Sequence, residues 1–186
     1  MRPLSIQGAW LVSPAVHRDL RGEFFELYQS TSFTEAAGHP LELKQASVSM
    51  SHQDVVRGIH YAVPGQAKYV SCVYGAILDV IVDIRVGSPT FGAYQIVPLD
   101  DTAHEALYIS GDLGHGFQAL TDDATVVYLQ SRLYDPKTER ALNPMDPDLN
   151  ITWVSDMQDL SQRDLDAPTL ARALEQGLLP IYRESQ

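Results

Sequence analysis

Cysteine, lysine and long apolar runs are scarce in this chain of 186 residues. Cys72 is the one cysteine, so no disulfide can form within the chain, which fits a reducing compartment. No apolar run approaches the roughly 20 residues that a membrane-spanning helix needs. The first ten residues, MRPLSIQGAW, contain no long apolar segment of the kind that a secretory signal requires. We therefore expect a cytoplasmic protein that makes no contact with membranes.

Positive charge is scarce as well. The 13 Lys and Arg residues face 24 Asp and Glu residues, which leaves a formal net charge of −11. Such a surface repels polyanions, so we expect no nucleic-acid partner. A small anionic ligand is still allowed, because salt screens charges beyond about 10 Å and a few local cations can then bind it. The positions of the three lysines, Lys44, Lys68 and Lys137, are therefore informative.

The rest of the composition is that of an ordinary globular protein. Hydrophobic residues make up 45% of the chain. A chain of this length can bury roughly 70% of the surface that it exposes when unfolded. We find no internal repeat, low-complexity tract or linker, and we expect one domain over residues 1–186.

The middle of the chain alternates apolar and polar residues with a period of two, which predicts β-strands. The segments with this pattern or a similar β-like composition are 68–75, 78–85, 94–99, 105–110 and 125–134. Segments rich in Gly, Pro and Asp separate them and predict turns. Several short strands at this spacing indicate a β-sandwich or β-barrel.

Helices are expected only at the periphery. Residues 32–38 begin with a capping-box pattern, Ser32 followed by Glu35, and end at a glycine. Residues 166–177 have Pro168 near the first turn and a glycine just past the end. The chain lacks β-α-β alternation and any GxGxxG or Walker pattern, so we do not expect a Rossmann or P-loop domain.

The segment RGIHYAVPGQAK gathers Arg57, His60 and Lys68 around a tight turn. A lone histidine before such a turn is more often structural than catalytic, but the two neighbouring cations favour a functional site. A metal site would need several ligands close together. His60 has no second histidine two residues on, and no HxH motif with a following Glu occurs in the chain, so we expect no metal.

Three further residues allow both a structural and a functional interpretation. His115 lies between two glycines, which permit either a tight turn or the close approach of a ligand. Tyr128 shares one face of a predicted strand with Gln130 and Arg132. That face would be solvated in an open sheet and would line a pocket in a closed barrel. Asp164, in the polar segment SQRDLDAP, is by default a solvated acid or a helix N-cap.

Five segments occur along the chain in an order that is typical of one protein family. They are DLRGEFFELY, VVRGIHY, QAKYVSCVYGAILDVIVDIRVGSPTFG, LGHGFQALTDDATVVYLQSRLYDPKTER and LSQRDLDAPTL. In DLRGEFFELY, the residues Arg21, Glu23 and Glu26 would by default be charges at a strand edge. Together the segments closely resemble the dTDP-4-dehydrorhamnose 3,5-epimerase family, which consists of sugar-nucleotide epimerases of the cupin superfamily. The resemblance covers nearly the whole chain, from Leu4 to Pro180. Each segment alone would be a weak signal, whereas the combination is highly specific.

The resemblance implies an all-β fold, a cupin jelly-roll β-barrel with short flanking helices, and a homodimer. It implies no metal, no organic cofactor, and dTDP-4-dehydro-6-deoxy-glucose as the substrate. Carried over by position, His60 matches the catalytic base, Asp164 the acid paired with it and Tyr128 the catalytic acid. Lys68 matches the lysine beside the sugar ketone. The positions that hold the nucleotide or sugar are matched by Arg21, Glu26, Gln45, Ala46, Ser47, Arg57, His115, Glu139 and Arg163.

These residue types suit the implied reaction. A ketone at C4 acidifies the C–H bonds at C3 and C5, and inversion requires a base and an acid on opposite faces of the ring. Positive charge beside the developing enolate oxygen lowers the barrier. An imidazole, with an intrinsic pKa of about 6.5, suits the base, and a phenol, with about 10, is protonated at rest. Arginine guanidiniums suit a diphosphate because they bind it bidentately.

Two departures from the family pattern bear on which carbons are inverted. The loop between His60 and Lys68 is shorter than is usual in the family, and Ser47 stands where an asparagine is common. The leading interpretation is a 3,5-epimerase, and its nearest rival is a mono-epimerase that acts at C3 or C5 only. Two hypotheses from different classes are a cupin that binds a nucleotide sugar without turning it over and a metal-dependent cupin oxygenase or isomerase. The base–acid pair argues against the former, and metal analysis would discriminate the latter.

Overall fold

The computed structural model describes residues 1–154 and 159–183. The strands are β1 (Arg2–Pro3), β2 (Ala9–Val12), β3 (Val16–Asp19), β4 (Gly22–Phe25), β5 (Gln45–Ser51), β6 (Val55–Ala62), β7 (Lys68–Tyr74), β8 (Ala76–Val82), β9 (Tyr94–Asp100), β10 (Ala106–Ile109), β11 (Gly114–Ala119), β12 (Ala124–Gln130), β13 (Glu139–Ala141) and β14 (Asp159–Leu160). The helices are α1 (Ser30–Ala37), α2 (Gln162–Leu165) and α3 (Leu170–Glu175). None of the described helices is long and apolar enough to cross a membrane.

The strands form two large sheets and a separate hairpin. The first sheet has the order β1-β2-β10-β7-β12-β5, and the second has the order β13-β6-β11-β8-β9. Strands β3 and β4 pair with each other, and the short β14 adds to β6 in parallel. From β5 to β12 the chain crosses repeatedly from one sheet to the other, as in a jelly roll. The predicted all-β jelly-roll fold of the cupin type is confirmed.

The main core lies between the two sheets. Val70 and Val126 from the first sheet pack with Ile77, Ile81 and Phe117 from the second. Inward and outward side chains alternate along each strand because successive Cβ atoms point to opposite faces. Apolar side chains fill one part of the space between the sheets. Polar side chains on the same inward faces line a cleft in the remaining part.

The outer face of the second sheet is covered at β8, which explains why this strand is almost continuously apolar. Val80 and Val82 point outward and pack against the C-terminal part of the chain, including Leu170 of α3. Ile81 points inward, so its break from the alternation follows from a strand buried on both faces. On the first sheet, Phe33 of α1 packs against its outer face.

The helix boundaries differ from the prediction. Helix α1 begins at Ser30, two residues before the predicted segment, because the Gln29 side chain accepts a hydrogen bond from the Ser32 backbone N–H at 2.6 Å and caps the helix there. The predicted end at Gly38 is correct, since its φ of 78° is left-handed. The helix predicted over 166–177 is shorter. It begins after the Thr169 cap, because Pro168 precedes that cap and lies outside the helix.

Candidate active site

A cleft of about 400 Å³ opens between the sheets, with β5, β12 and β7 on one wall and β6 and β11 on the other. Most of the residues nominated from the sequence line it. They are Gln45, Ser47, Arg57, His60, Lys68, His115, Tyr128, Glu139 and Arg163. Barrel closure therefore decides the open question about Tyr128, whose strand face points into a pocket rather than into solvent.

His60 is the best-defined reactive group of the cleft. Its Nε2 lies 2.7 Å from Oδ1 of Asp164, which is buried in helix α2. An ionised carboxylate can only accept hydrogen bonds, so Nε2 carries the proton and Nδ1 holds the lone pair. The His60 side chain is 31% exposed, so the imidazole is accessible from the cleft.

Asp164 is held in its ionised form. Burial by itself raises the pKa of this carboxyl, but hydrogen bonds from His60, Ser161 and the Gly58 backbone outweigh it. The resulting pKa lies below the usual value. The default interpretation of Asp164 as a solvated acid or cap is wrong, because Ser161 caps α2 and Asp164 faces His60.

Two glycines bring the strands of this wall together. A Cβ on Gly58 would stand 2.5 Å from the Cα of Gly116, and Gly58 has a φ of 143°. Side chains at these positions would force β6 and β11 apart. The close approach sets His60 and His115 opposite each other in the sheet, next to a register shift in β11. Gly116, the residue after His115, thus serves strand packing.

Lys68 is a buried cation at the start of β7. Its Nζ donates a hydrogen bond to the His60 backbone carbonyl at 3.4 Å. Burial lowers the pKa of Lys68, while the negative charges of Glu139 and Asp79 act to raise it. The cation is therefore poorly solvated, so an anion placed beside it would interact with it strongly.

Tyr128 stands on the opposite wall from His60. Its hydroxyl lies 3.4 Å from the Ser49 hydroxyl, and its ring meets the edge of His115 with centroids 6.2 Å apart. Burial raises the pKa of the Tyr128 phenol well above its usual value, despite the opposing effect of Ser49. The phenol is thus a proton donor throughout the physiological pH range.

His115 belongs to a buried pair that the sequence did not reveal. Its Nε2 lies 2.8 Å from Oδ2 of Asp79, and both side chains are almost fully buried. The signal was present in the alternation of β8, because Asp79 falls on the same strand face as the inward Ile81. A charged residue on a face that barrel closure buries needs a partner, and only the fold identifies it as His115.

The arginines lie on the same wall as His60. Arg57 donates from Nε to the Ser51 hydroxyl at 3.0 Å and from Nη2 to the Met50 carbonyl at 3.3 Å. Arg163 lies beside Asp164 and, with Arg57, also lines a second groove that continues past His60. These guanidiniums give one end of the cleft a positive character within an acidic protein.

Apart from Asp164, which lines the adjoining groove beside His60, three nominated residues do not reach this cleft in the single chain. Arg21 lies in the turn of the β3–β4 hairpin, where its side chain is 90% exposed and paired with Asp19. Glu26 lines a separate pocket beside α1. Ala46 is exposed on the face of β5 opposite to Gln45 and Ser47. Their roles stay predictions.

Six further residues line the cleft without having been nominated, and two of these, Gln66 and Gln130, have polar side chains that bond to each other. Their side chains are neutral amides, which carry no sequence signal of chemistry unless their neighbours in space are known. Among the described residues, no three His, Cys, Asp or Glu side chains are grouped as a metal site would require.

Comparison with known proteins identifies the family. The sequence pattern of the dTDP-4-dehydrorhamnose 3,5-epimerase family matches residues 3–172. The chain belongs to this family. It is therefore an enzyme, a carbohydrate epimerase of the isomerase class.

Individual epimerases match over almost their full lengths. A dTDP-4-dehydro-6-deoxyglucose 3-epimerase from Streptomyces bikiniensis is 51% identical over 189 residues, which covers 100% of this chain and 96% of the relative. A dTDP-4-dehydrorhamnose 3,5-epimerase from Streptomyces griseus is 50% identical over 187 residues, which covers 99% of this chain and 93% of that relative. The crystal structure of a 3′-monoepimerase from Streptomyces bikiniensis in complex with dTDP-quinovose superposes with a TM-score of 0.95 at 52% identity. That match covers 98% of this chain and 93% of the other.

Proposed function

We propose that this epimerase converts dTDP-4-dehydro-6-deoxy-D-glucose by inverting C3 and then C5, which yields dTDP-4-dehydro-L-rhamnose, without a metal or organic cofactor. The observation that carries the proposal is the His60–Asp164 pair, with its 2.7 Å contact, in a cleft whose opposite wall presents Tyr128. A base and an acid on two walls are what inversion at a ring carbon requires. A protein that only bound the nucleotide sugar would have no need of such a pair.

His60 acts as the base through Nδ1. Asp164 holds the proton on Nε2, so the lone pair of Nδ1 is available to remove the proton from the carbon beside the ketone. Once the imidazole is protonated, the adjacent carboxylate stabilises it, as the acid does in a Ser-His-Asp triad. Tyr128 returns a proton to the other face of the ring.

Lys68 stabilises the intermediate. Removal of the proton converts the C4 ketone into an enolate, whose negative charge is placed beside the buried ammonium of Lys68. The diphosphate is bound by Arg57 and Arg163, whose guanidiniums fit its oxygens. His115, fixed by Asp79, lies against Tyr128 and completes the pocket.

We propose further that the enzyme is a homodimer. Strand β5 is an edge of the first sheet, and Val48 and Met50 on it are 66% and 64% exposed. The β3–β4 hairpin also exposes Phe24. Unpaired strand edges with apolar side chains favour association. A second copy packed here would bring another Arg21 and Glu26 toward the cleft, which would account for their distance from it in one chain.

Replacing Tyr128 with phenylalanine should separate exchange from inversion. The ring still packs, but the proton donor is gone, so solvent deuterium should still enter at least one carbon through His60 while net epimer falls. NMR of the substrate in D₂O measures both quantities. If exchange and inversion both stay at wild-type levels, Tyr128 merely lines the barrel.

Time-resolved NMR of the substrate in D₂O also tests the choice of carbons. We expect deuterium at C3 before C5, because the short loop between His60 and Lys68 restricts how the ring can present its second carbon to the same base. A displacement of about 1 Å in a positioned group can cost on the order of 10²-fold in rate. Deuterium at C3 alone would identify a mono-epimerase, which the 3-epimerase among the relatives makes the second candidate. Equal incorporation from the earliest times would show that the loop does not control the outcome.

A further inference from the structure

A chain of amide hydrogen bonds crosses the first sheet at one end of the cleft. The Gln130 Oε1 accepts from Gln45 Nε2 at 3.2 Å and from the Ser47 hydroxyl at 2.9 Å. The Gln130 Nε2 donates to Gln66 Oε1 at 3.1 Å. Gln130 is therefore the central member of the chain, which joins β5 to the turn between His60 and Lys68.

Backbone groups at both ends fix the direction of this chain. The Gln66 Nε2 donates to the carbonyl of Arg132 at 3.0 Å, and a carbonyl can only accept. The Gln45 Oε1 accepts from the backbone N–H of Tyr134 at 2.9 Å, and an N–H can only donate. A flipped Gln130 amide would set donor against donor at Gln45 and acceptor against acceptor at Gln66. The orientation of the Gln130 amide is thus determined.

Two N–H groups of this chain have no protein partner among the described residues, one on Gln66, whose other N–H donates to Arg132, and one on Gln130. Both N–H groups of Gln45 are used, on Ser47 and on Gln130. Gln130 uses one N–H on Gln66, and within residues 1–154 and 159–183 its second N–H meets no acceptor. Because Gln130 lines the cleft, this oriented N–H is available to a ligand.

The position of Gln130 in the sheet indicates which part of the ligand it meets. Gln130 pairs directly with Lys68 across one side of β12 and with Gln45 across the other. Directly opposite residues share a face, with Cβ atoms about 5 Å apart. Arg57, in contrast, bonds to residues at the far end of β5, about 20 Å along the strand from Gln45 at roughly 3.3 Å per residue. The Gln130 donor is therefore beside the enolate site and away from Arg57, one of the two guanidiniums that we propose bind the diphosphate.

We propose that Gln130 is a specificity-determining residue whose Nε2–H donates to the C3 hydroxyl of the sugar; this rests on the proposed function. In a 4-keto-6-deoxyhexose the carbon on one side of the ketone carries a hydroxyl, and the carbon on the other side carries a methyl group. With the C4 oxygen at Lys68, the adjacent donor selects the orientation that presents the hydroxyl-bearing carbon. Gln130 thus distinguishes C3 from C5, the two carbons beside the ketone, whose C–H bonds are both acidified by it.

The test pairs a protein change with a substrate change. Gln130→Met keeps the length of the side chain and removes its donors. Deuterium exchange at C3, the carbon that the proposed orientation presents to the base, is measured for wild type and variant with the 3-hydroxy substrate and with its 3-deoxy analogue. Loss of one hydrogen bond should lower kcat/KM by about 10-fold for the variant on the 3-hydroxy substrate. On the 3-deoxy analogue, the variant and wild type should be equal, because the partner of the donor is absent from both.

The controls separate this role from others. An equal fall on both substrates would overturn the proposal, because it would mean that Gln130 only holds Gln45 and Gln66 in place. A matching loss in the affinity for dTDP, which lacks the hexose, would also overturn it and assign the donor to the nucleotide part of the ligand. Thr125→Val, which removes a hydroxyl from the same strand, should behave as wild type on both substrates.

A second variant covers the event that Gln130→Met does not fold. Gln130→Glu keeps the oxygen that accepts from Gln45 and Ser47 but has no N–H. It also sets an acceptor against Gln66 and adds a charge, effects that are common to both substrates, so the ratio of its rates on the two substrates should fall as for Gln130→Met. Equal rates for Gln130→Glu and wild type on the 3-hydroxy substrate would overturn the proposal. Failure of the wild-type enzyme to exchange any proton of the 3-hydroxy substrate would instead refute the proposed function.

Discussion

Replacing His60 with alanine should lower deuterium exchange at both C3 and C5 by about 10²- to 10⁴-fold, the usual contribution of a general base. Binding of dTDP should remain nearly intact, because His60 is placed to remove a proton and the nearby guanidiniums bind the phosphates. Exchange is measured by NMR in D₂O and dTDP binding by calorimetry. Residual exchange within a few-fold of wild type would refute the assignment of His60 as the base.

The alanine variant leaves the buried Asp164 without its main partner, which destabilises the fold. His60→Gln is therefore the companion variant, since its amide nitrogen reaches the position of the imidazole Nε2 and can donate to Asp164 but cannot take up a proton. Both variants should lose exchange to a similar extent, although only the alanine variant should lose thermal stability. His52→Ala, which changes an exposed histidine near the start of β6, is the matched control and should retain full activity.

Replacing Lys68 with methionine should lower kcat by about 10²- to 10³-fold, the range found when one stabilising group at a developing oxyanion is removed. The buried ammonium is poorly solvated, as the lowered pKa of Lys68 indicates, so its attraction for the enolate is strong. Methionine fills similar space without the charge. Single-turnover exchange in D₂O measures the effect on proton removal itself.

The chain supplies its own control for this prediction. Lys137→Met removes the same charge from an exposed position and should leave exchange unchanged. Lys68 makes no salt bridge within residues 1–154 and 159–183, and burial disfavours its charged form, so the melting temperature of Lys68→Met should not fall. A kcat near that of wild type in a folded Lys68→Met variant would mean that the enolate is stabilised elsewhere.

Some features of the site were predictable because they depend on residues close in sequence. His60 and Lys68 flank one tight turn, so any fold that keeps the turn keeps them together. The alternation of 125–134 placed Tyr128 and Gln130 on one strand face, and this local property survives in the structure. The start of α1 was missed by two residues, because Gln29 is a less common cap than Ser32.

The sequence by itself therefore determined five of the central strands (β7, β8, β9, β10 and β12), the β class and, through its ordered motifs, the family. Only the tertiary structure decided which strand faces are buried. It also decided which side chains contact each other in the site. Asp164 meets His60 across 104 residues of sequence, and Asp79 meets His115 across 36. Periodicity reports the direction of a side chain relative to its own strand, whereas a partner is set by the strand that lies opposite. The amide chain through Gln130 joins three separate segments, so it exists only once the barrel has closed.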